Sequence, residues 1–241
     1  MALPKLPKSK KYHPQGLEIL HEDRDVIVIN KHEGLLSTET LKGESKTAEM
    51  VLTNYLRKGC VASNKRAYLV HRLDRDTSGV MIFAKSEQAC IRLQETWTET
   101  DKYYAAVVVG HLKEKKGLFQ SYLAENEDQY VFTVLDPEKG KLSKTEYSVV
   151  KETPEYSLVK VHLLTGRKNQ IRVHFAEAGH AVLGDRKYNG ADRFRERLCL
   201  HAKSIAFPHP HNGKPCFYET PVPELFSRLV GGLTEAEWTQ A

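Results

Sequence analysis

Two short apolar runs, Tyr68-Leu69-Val70 and Val80-Met81-Ile82-Phe83-Ala84, bracket the polar segment His71-Arg72-Leu73-Asp74-Arg75-Asp76-Thr77-Ser78-Gly79. That pattern fits a strand, a tight connection and a second strand, with Ser78-Gly79 as the turn signal. Such a connection projects Asp74 from a rigid scaffold between Arg72 and Arg75. Their charges favour the ionised carboxylate and keep it ready as a nucleophile or base. The same residues also fit a salt-bridged surface turn, and spacing alone does not separate the two readings.

Elsewhere strands and helices mix. Val26–Asn30 reads as a buried strand followed by a Lys31–Gly34 turn. Helices are predicted over Thr47–Lys58, capped by Thr47 or Ser45 and stopped by Gly59, and over Ser86–Thr96, capped by Ser86. Ala89, Cys90, Leu93 and Trp97 form an apolar stripe on the second, which reads as core. Strands are expected at Tyr103–Val109, Leu118–Tyr122, Tyr130–Leu135, Thr145–Val150 and Leu158–Leu164, joined by hairpin turns. The segment after Asn169 fits a helix Gln170–Ala178, with Asn169 as N-cap and Ile171, Phe175 and Ala178 inward, but its alternation also fits a strand. The fold class is therefore α+β, with a central, mainly antiparallel mixed sheet flanked by helices and loops.

The chain has 241 residues, 40% hydrophobic and 28% charged, which suits a globular protein with a substantial core. No apolar run reaches membrane-spanning length, and the N-terminus lacks an apolar signal core, so a cytoplasmic location is expected. Cys60, Cys90, Cys199 and Cys216 are scattered, which favours free thiols over disulfides or zinc. His209 and His211 lie near Cys216 in sequence, yet fit no zinc spacing. Of the net charge of +5, all resides between Leu164 and Lys203, where nine basic residues face four acidic ones. A basic stretch of that kind suits a polyphosphate partner such as nucleic acid. Residues 1–16 read as a basic arm with four lysines and no acid, leaving 17–241 as a single domain.

Four ordered segments carry a resemblance. Leu69–Ser86, Lys102–Val107, Leu164–His174, and Gly179–Asp185 with Leu200-His201-Ala202 resemble the motifs of RluA-type pseudouridine synthases, over about residues 17–223. The resemblance implies the pseudouridine synthase fold as a stand-alone catalytic domain, since sixteen leading residues cannot encode the RNA-binding S4 domain of many relatives. It implies isomerisation of a uridine in ribosomal or transfer RNA, with no cofactor or metal, because the reaction is redox-neutral and gains no atoms. Asp74 matches the essential aspartate, assigned as nucleophile. Tyr104 matches the tyrosine that packs on uracil, and Arg172 the arginine expected to hold Asp74 ionised. Arg72 would be the wedge that replaces a flipped base, Arg167 and Lys168 phosphate contacts, and Ile171 a further substrate contact. Two departures stand out: His32 where the family has proline, and Asn169 where it has histidine.

Two other functions compete. One is an idle RNA-binding protein on the same fold, against which the joint presence of Asp74, Tyr104 and Arg172 argues. The other is a hydrolase pairing Asp74 with Asp76, which lacks an apolar pocket to raise one carboxyl.

Overall fold

The computed structural model describes residues 14–39, 46–190 and 194–241; most of the basic arm and the alternative cap Ser45 lie outside them. In chain order the strands are β1 (Leu17–Glu22), β2 (Val26–Lys31), β3 (Tyr68–Leu69), β4 (Ser78–Ala84), β5 (Asp101–Val109), β6 (Lys116–Glu125), β7 (Val131–Val134), β8 (Lys141–Glu152), β9 (Tyr156–Leu163), β10 (Leu200–Pro208) and β11 (Pro215–Glu219). The helices are α1 (Ala48–Arg57), α2 (Glu87–Glu95), α3 (Gln170–Glu177), α4 (Glu224–Leu229) and α5 (Glu235–Gln240). The architecture is α+β, and none of the helices among the described residues is long and apolar enough to cross a membrane. Two compact units divide the chain: residues up to 100 with 205–220, and residues 101–204 with 221–241.

In the first unit β2 pairs antiparallel with β1 on one side and β4 on the other, and β3 also pairs with β4. All seven residues of β4 are buried, so the strand reads as one continuous apolar run rather than an alternating one. Ser78 and Gly79 therefore begin the strand. The turn expected there lies at Arg75-Asp76 instead, because Lys31↔Gly79 pairing with β2 has already extended the backbone. Likewise Lys31, expected in a turn, ends β2 and is fully buried. The cap readings for α1 and α2 hold: Thr47 Oγ1 accepts from the Met50 N–H at 3.2 Å and Ser86 Oγ from Ala89 at 3.2 Å. Lys58 and Gly59, both at positive φ (48° and 78°), end α1. Ala89, Cys90 and Leu93 join the core with Val26, Val80 and Phe207, while half-buried Trp97 packs at its edge, its ring tilted against that of His71.

The second unit orders its strands β5-β9-β8-β6-β7, with every adjacent pair antiparallel and the consecutive pairs β6-β7 and β8-β9 as hairpins. β8 begins four residues earlier than the apolar pattern marked, since its inner face there is carried by Ser143 and Thr145, both fully buried hydroxyl residues. A buried face built from small polar side chains has no hydrophobic period to read. Segment 170–177 is helical, which decides the helix–strand ambiguity, and it buries Gln170, Ile171, Val173, His174 and Phe175. Ala178, expected inward, is exposed: the helix stops at Glu177, and Gly179 at φ 82° turns the chain away.

Candidate active site

Asp74 stands at the first position of a β-turn, its carbonyl accepting from the Thr77 N–H at 3.2 Å, and its side chain is half-buried. The residues on either side of it are held by buried groups. Ser37 Oγ donates to the Leu73 carbonyl (2.7 Å) and accepts from the Leu73 N–H (3.0 Å). On the other flank, the Arg75 carbonyl accepts from the Lys31 ammonium (3.0 Å) and the Gly34 N–H (2.9 Å). Lys31 also donates to the carbonyls of His32 (3.0 Å) and Leu35 (2.8 Å), so this buried charge clamps the 32–35 loop to the 73–77 loop. Burying an ammonium is tolerable only with such a set of oxygen partners. Its neighbour His32, where proline was expected, is exposed and its N–H donates to the Gly16 carbonyl at 3.0 Å, a bond proline would forfeit. Arg72, Arg75 and Asp76 are exposed, and Arg75 Nε donates to the Gly34 carbonyl at 3.2 Å.

In the second unit Tyr104 sits on β5 opposite Val161 and is 9% exposed. Tyr103 points the other way and stacks on its cross-strand partner His162 at 4.4 Å, so the two neighbours divide as strand alternation requires. Arg172 emerges from the first turn of α3. Asp185 grips it with two bonds, Nε–Oδ2 at 2.7 Å and Nη2–Oδ1 at 2.8 Å, in a buried fork. Asp185 Oδ1 also accepts the N–H groups of Lys187 (2.9 Å) and Tyr188 (3.1 Å). Gly184, just before it, cannot be replaced without a shift, because a Cβ there would meet the Arg197 carbonyl oxygen at 2.1 Å. Ile171 is buried in the core face of α3.

The loop that leads into α3 is fixed from within. Gln170 Oε1 accepts from Thr165 Oγ1 (2.8 Å) and the Arg167 N–H (3.0 Å). Its amide donates to the Lys144 carbonyl (3.0 Å) and Thr145 Oγ1 (2.8 Å) on β8. His174, one turn on, bonds Thr145 (2.8 Å) and Ser121 (3.0 Å), and burial pushes its pKa down to about 4, so the ring is neutral. Arg167 and Lys168 are thereby presented on the surface, lining a cleft of about 470 Å³ with Lys139, Lys141, Glu125 and Glu138. Lys168 pairs with Glu125 and Arg167 Nε donates to the Leu142 carbonyl (3.4 Å), so each side chain has a protein partner in this structure.

Asn169 departs from its expected role. It precedes α3 in the left-handed region (φ 53°) and its side chain does not cap the helix; it accepts from Arg172 Nη1 (3.1 Å) and donates to the Tyr188 hydroxyl (3.1 Å). Tyr188 was missed, as were Ser37 and the buried role of Lys31, because nothing in a local pattern marks partners nineteen to fifty-seven residues apart. Asp185 lay within a resembling motif that gave it no role.

For a metal, the structure offers Asp23, Asp25 and His209, whose ligand atoms lie within 4.8 Å of one another. Asp23 Oδ2 is instead bonded by both His21 Nε2 and His209 Nε2 at 3.0 Å. His209 Nδ1 accepts from the His211 N–H (3.2 Å), which places the ring proton on Nε2, facing Asp23 rather than an ion. Although burial raises the Asp23 pKa, these bonds and the Val26 and Asp25 N–H groups carry it down to about 2.

Comparison with known proteins bears on the family and the fold. A family model described as RNA pseudouridylate synthase matches residues 25–177. The chain is 34% identical to ribosomal large subunit pseudouridine synthase C of Vibrio vulnificus, covering 89% of this chain and 69% of that one. It is 32% identical to ribosomal large subunit pseudouridine synthase D of Vibrio cholerae, covering 91% and 71%. Among solved structures, human RNA pseudouridylate synthase domain containing 4 superposes with a TM-score of 0.71 at 25% identity, over 86% of this chain and 89% of that one. With its motifs in order along a shared fold, the chain belongs to the RNA pseudouridylate synthase family, in its RluA-type branch, and is an isomerase.

Proposed function

We propose that the chain isomerises a specific uridine of ribosomal or transfer RNA to pseudouridine, acting in the cytoplasm, with residues 17–241 as one catalytic domain. The C1′–N1 bond breaks, the base turns, C1′ joins C5, and the proton from C5 leaves to solvent while N1 gains one. Asp74 is the nucleophile, Tyr104 packs on the uracil, and Arg172 holds the carboxylate ionised. Arg72 fills the gap left by the flipped base, while Arg167 and Lys168 contact the RNA; Ile171, expected there too, is buried in the core face of α3. The observation that carries this reading is the mounting of Asp74: both its neighbours are pinned through their backbones by buried side chains, as a reacting group requires. The names of the relatives above support ribosomal RNA as the first substrate to try.

RNA labelled with tritium at uridine C5 tests it. Isomerisation releases the label to water, and Asp74→Asn abolishes release while RNA affinity stays within about three-fold. Retained release in Asp74→Asn refutes the assignment, and absence of release from every cellular RNA favours an idle binder. Free uracil with abasic RNA would mean hydrolysis. Arg167→Ala weakens binding and lowers the slope of log K against log salt by about one phosphate contact.

A further inference from the structure

The helices whose N-caps are Thr47, Ser86 and Thr234 start alike: the cap is extended, with φ between −144° and −101°, and its side chain accepts an N–H of the first turn. At α3 the cap position is held by Asn169, a residue well suited to capping, and it does neither. Its backbone takes a conformation that residues other than glycine rarely adopt; the residue is 7% exposed, and its amide turns to Arg172 and Tyr188. The start of the helix thus forgoes its capping bond for a contact three residues along.

That contact completes a frame around one guanidinium. Asp185 fixes its fork through Nε and Nη2, Asn169 holds Nη1, and the ring of Tyr188 lies 5.3 Å from its central carbon. Tyr188 is itself anchored at its N–H by Asp185 (3.1 Å) and at its hydroxyl by Asn169 (3.1 Å) and by the Val131 N–H of β7 (3.2 Å). The fork to Asp185 alone would still let the guanidinium hinge about the line of its two carboxylate bonds. Contacts on a second edge and on the ring face remove that freedom.

We propose that Asn169 and Tyr188 are positioning residues that set the orientation of Arg172, acting through it and not on the RNA. This rests on the reading of Arg172 given above. The bland alternative is that asparagine stands at 169 only because it tolerates a positive φ, and that Tyr188 merely fills space. Asn169→Gly separates the two, since glycine adopts that backbone freely and deletes the amide.

In single-turnover tritium release, Asn169→Gly and Tyr188→Phe should slow the chemical step by about ten-fold and about three-fold, with RNA Kd within about two-fold of wild type. The double variant should be no slower than Asn169→Gly by more than about two-fold, because both act on one orientation. Asn169→Asp keeps the acceptor for Nη1 and should recover most of the rate. Full activity in Asn169→Gly overturns the proposal. A second readout does not need turnover: the ¹⁵Nε–H signal of Arg172 should shift and exchange faster in Asn169→Gly and in Tyr188→Phe. Unchanged signals in both overturn the proposal even where rates fall. If wild type releases no label, the reading of Arg172 as catalytic fails, and this signal still decides whether the frame orients it.

Discussion

Asp74 and Arg172 are held by opposite means. The loop of Asp74 is held through its backbone, by several groups that duplicate one another: the Arg75 carbonyl takes both the buried Lys31 ammonium and the Gly34 N–H, and Leu73 is held separately by buried Ser37. Arg172 is held through its side chain, with Asp185 alone making two of its bonds. A redundant backbone mount should survive loss of one holder, whereas a side-chain fork should not. Structural damage and catalytic damage therefore separate differently in the two units.

The largest expected effect is at Asp185. Asp185→Asn leaves the guanidinium of Arg172, only 13% exposed at its side chain, without its carboxylate. Breaking one partner of a buried pair costs about 3–5 kcal/mol. Tritium release should fall by about 100-fold or more, as a misplaced charge would cause. Near-normal turnover in this variant would show that the fork is not what holds Arg172.

Lys31→Met should cost less and act differently. It strips a donor from the carbonyls of His32 and Leu35, but the Arg75 carbonyl keeps Gly34 and Leu73 keeps Ser37. Leaving buried acceptors short costs about 1–3 kcal/mol, visible in chemical denaturation, while turnover below the melting range stays within about ten-fold. If Lys31→Met were as inactive as Asp185→Asn at equal folded fraction, the contrast between the two mounts would be wrong.

How much of this could be read from the chain follows the same division. The strand, connection and strand of 68–84, though not the turn expected at Ser78-Gly79, and the caps Thr47 and Ser86 were legible because each is a local pattern of types and spacing. Lys31 was misread as a turn residue, since a lysine after an apolar run ordinarily marks solvent, and its oxygen partners come from two separate loops. Asn169 was misread as a cap because propensity favours that role, and the partner that overrode it, Tyr188, lies nineteen residues on. The α3 segment itself stayed ambiguous because Gln170 and His174 are buried against hydroxyls of β6 and β8, so its inner face is half polar. Asp74, Tyr104 and Arg172 came from family resemblance; their supports came only from the fold.

Acid should distinguish the units again. In the second unit burial lowers His174 to about 4 and His201 to about 3, from 6.5, so both stay neutral when folded and take up protons when unfolded. Between about pH 6.5 and those values the unfolded state binds more protons, and stability falls as pH falls, by up to about 1.4 kcal/mol per pH unit for each histidine. In the first unit Asp23 is lowered from 3.8 to about 2, and its contribution is kept above about pH 4 and lost as pH falls toward 2. Hydrogen exchange at stepped pH should therefore show amides of residues 101–204 losing protection before those of 14–100. His174→Gln should flatten the slope between pH 6.5 and 4. An unchanged slope would mean that His174 is already protonated in the folded protein.

The smallest effect tests how far the Asp74 mount depends on side chains within its own turn. Thr77 is 2% exposed, and its hydroxyl has no hydrogen-bond partner among the described residues, although its N–H closes the turn to Asp74. A buried hydroxyl without a partner costs free energy, and valine replaces it at nearly equal volume. Thr77→Val should raise stability by up to about 1 kcal/mol, or about 2–4 °C in Tm. Turnover should stay near wild type, because the backbone bonds that hold Asp74 are untouched. A fall of several degrees would show that the hydroxyl is bonded in solution. A rise in Tm with lost turnover would assign that hydroxyl to the RNA, and would make the turn a contributor to the chemistry rather than a mount for one carboxylate.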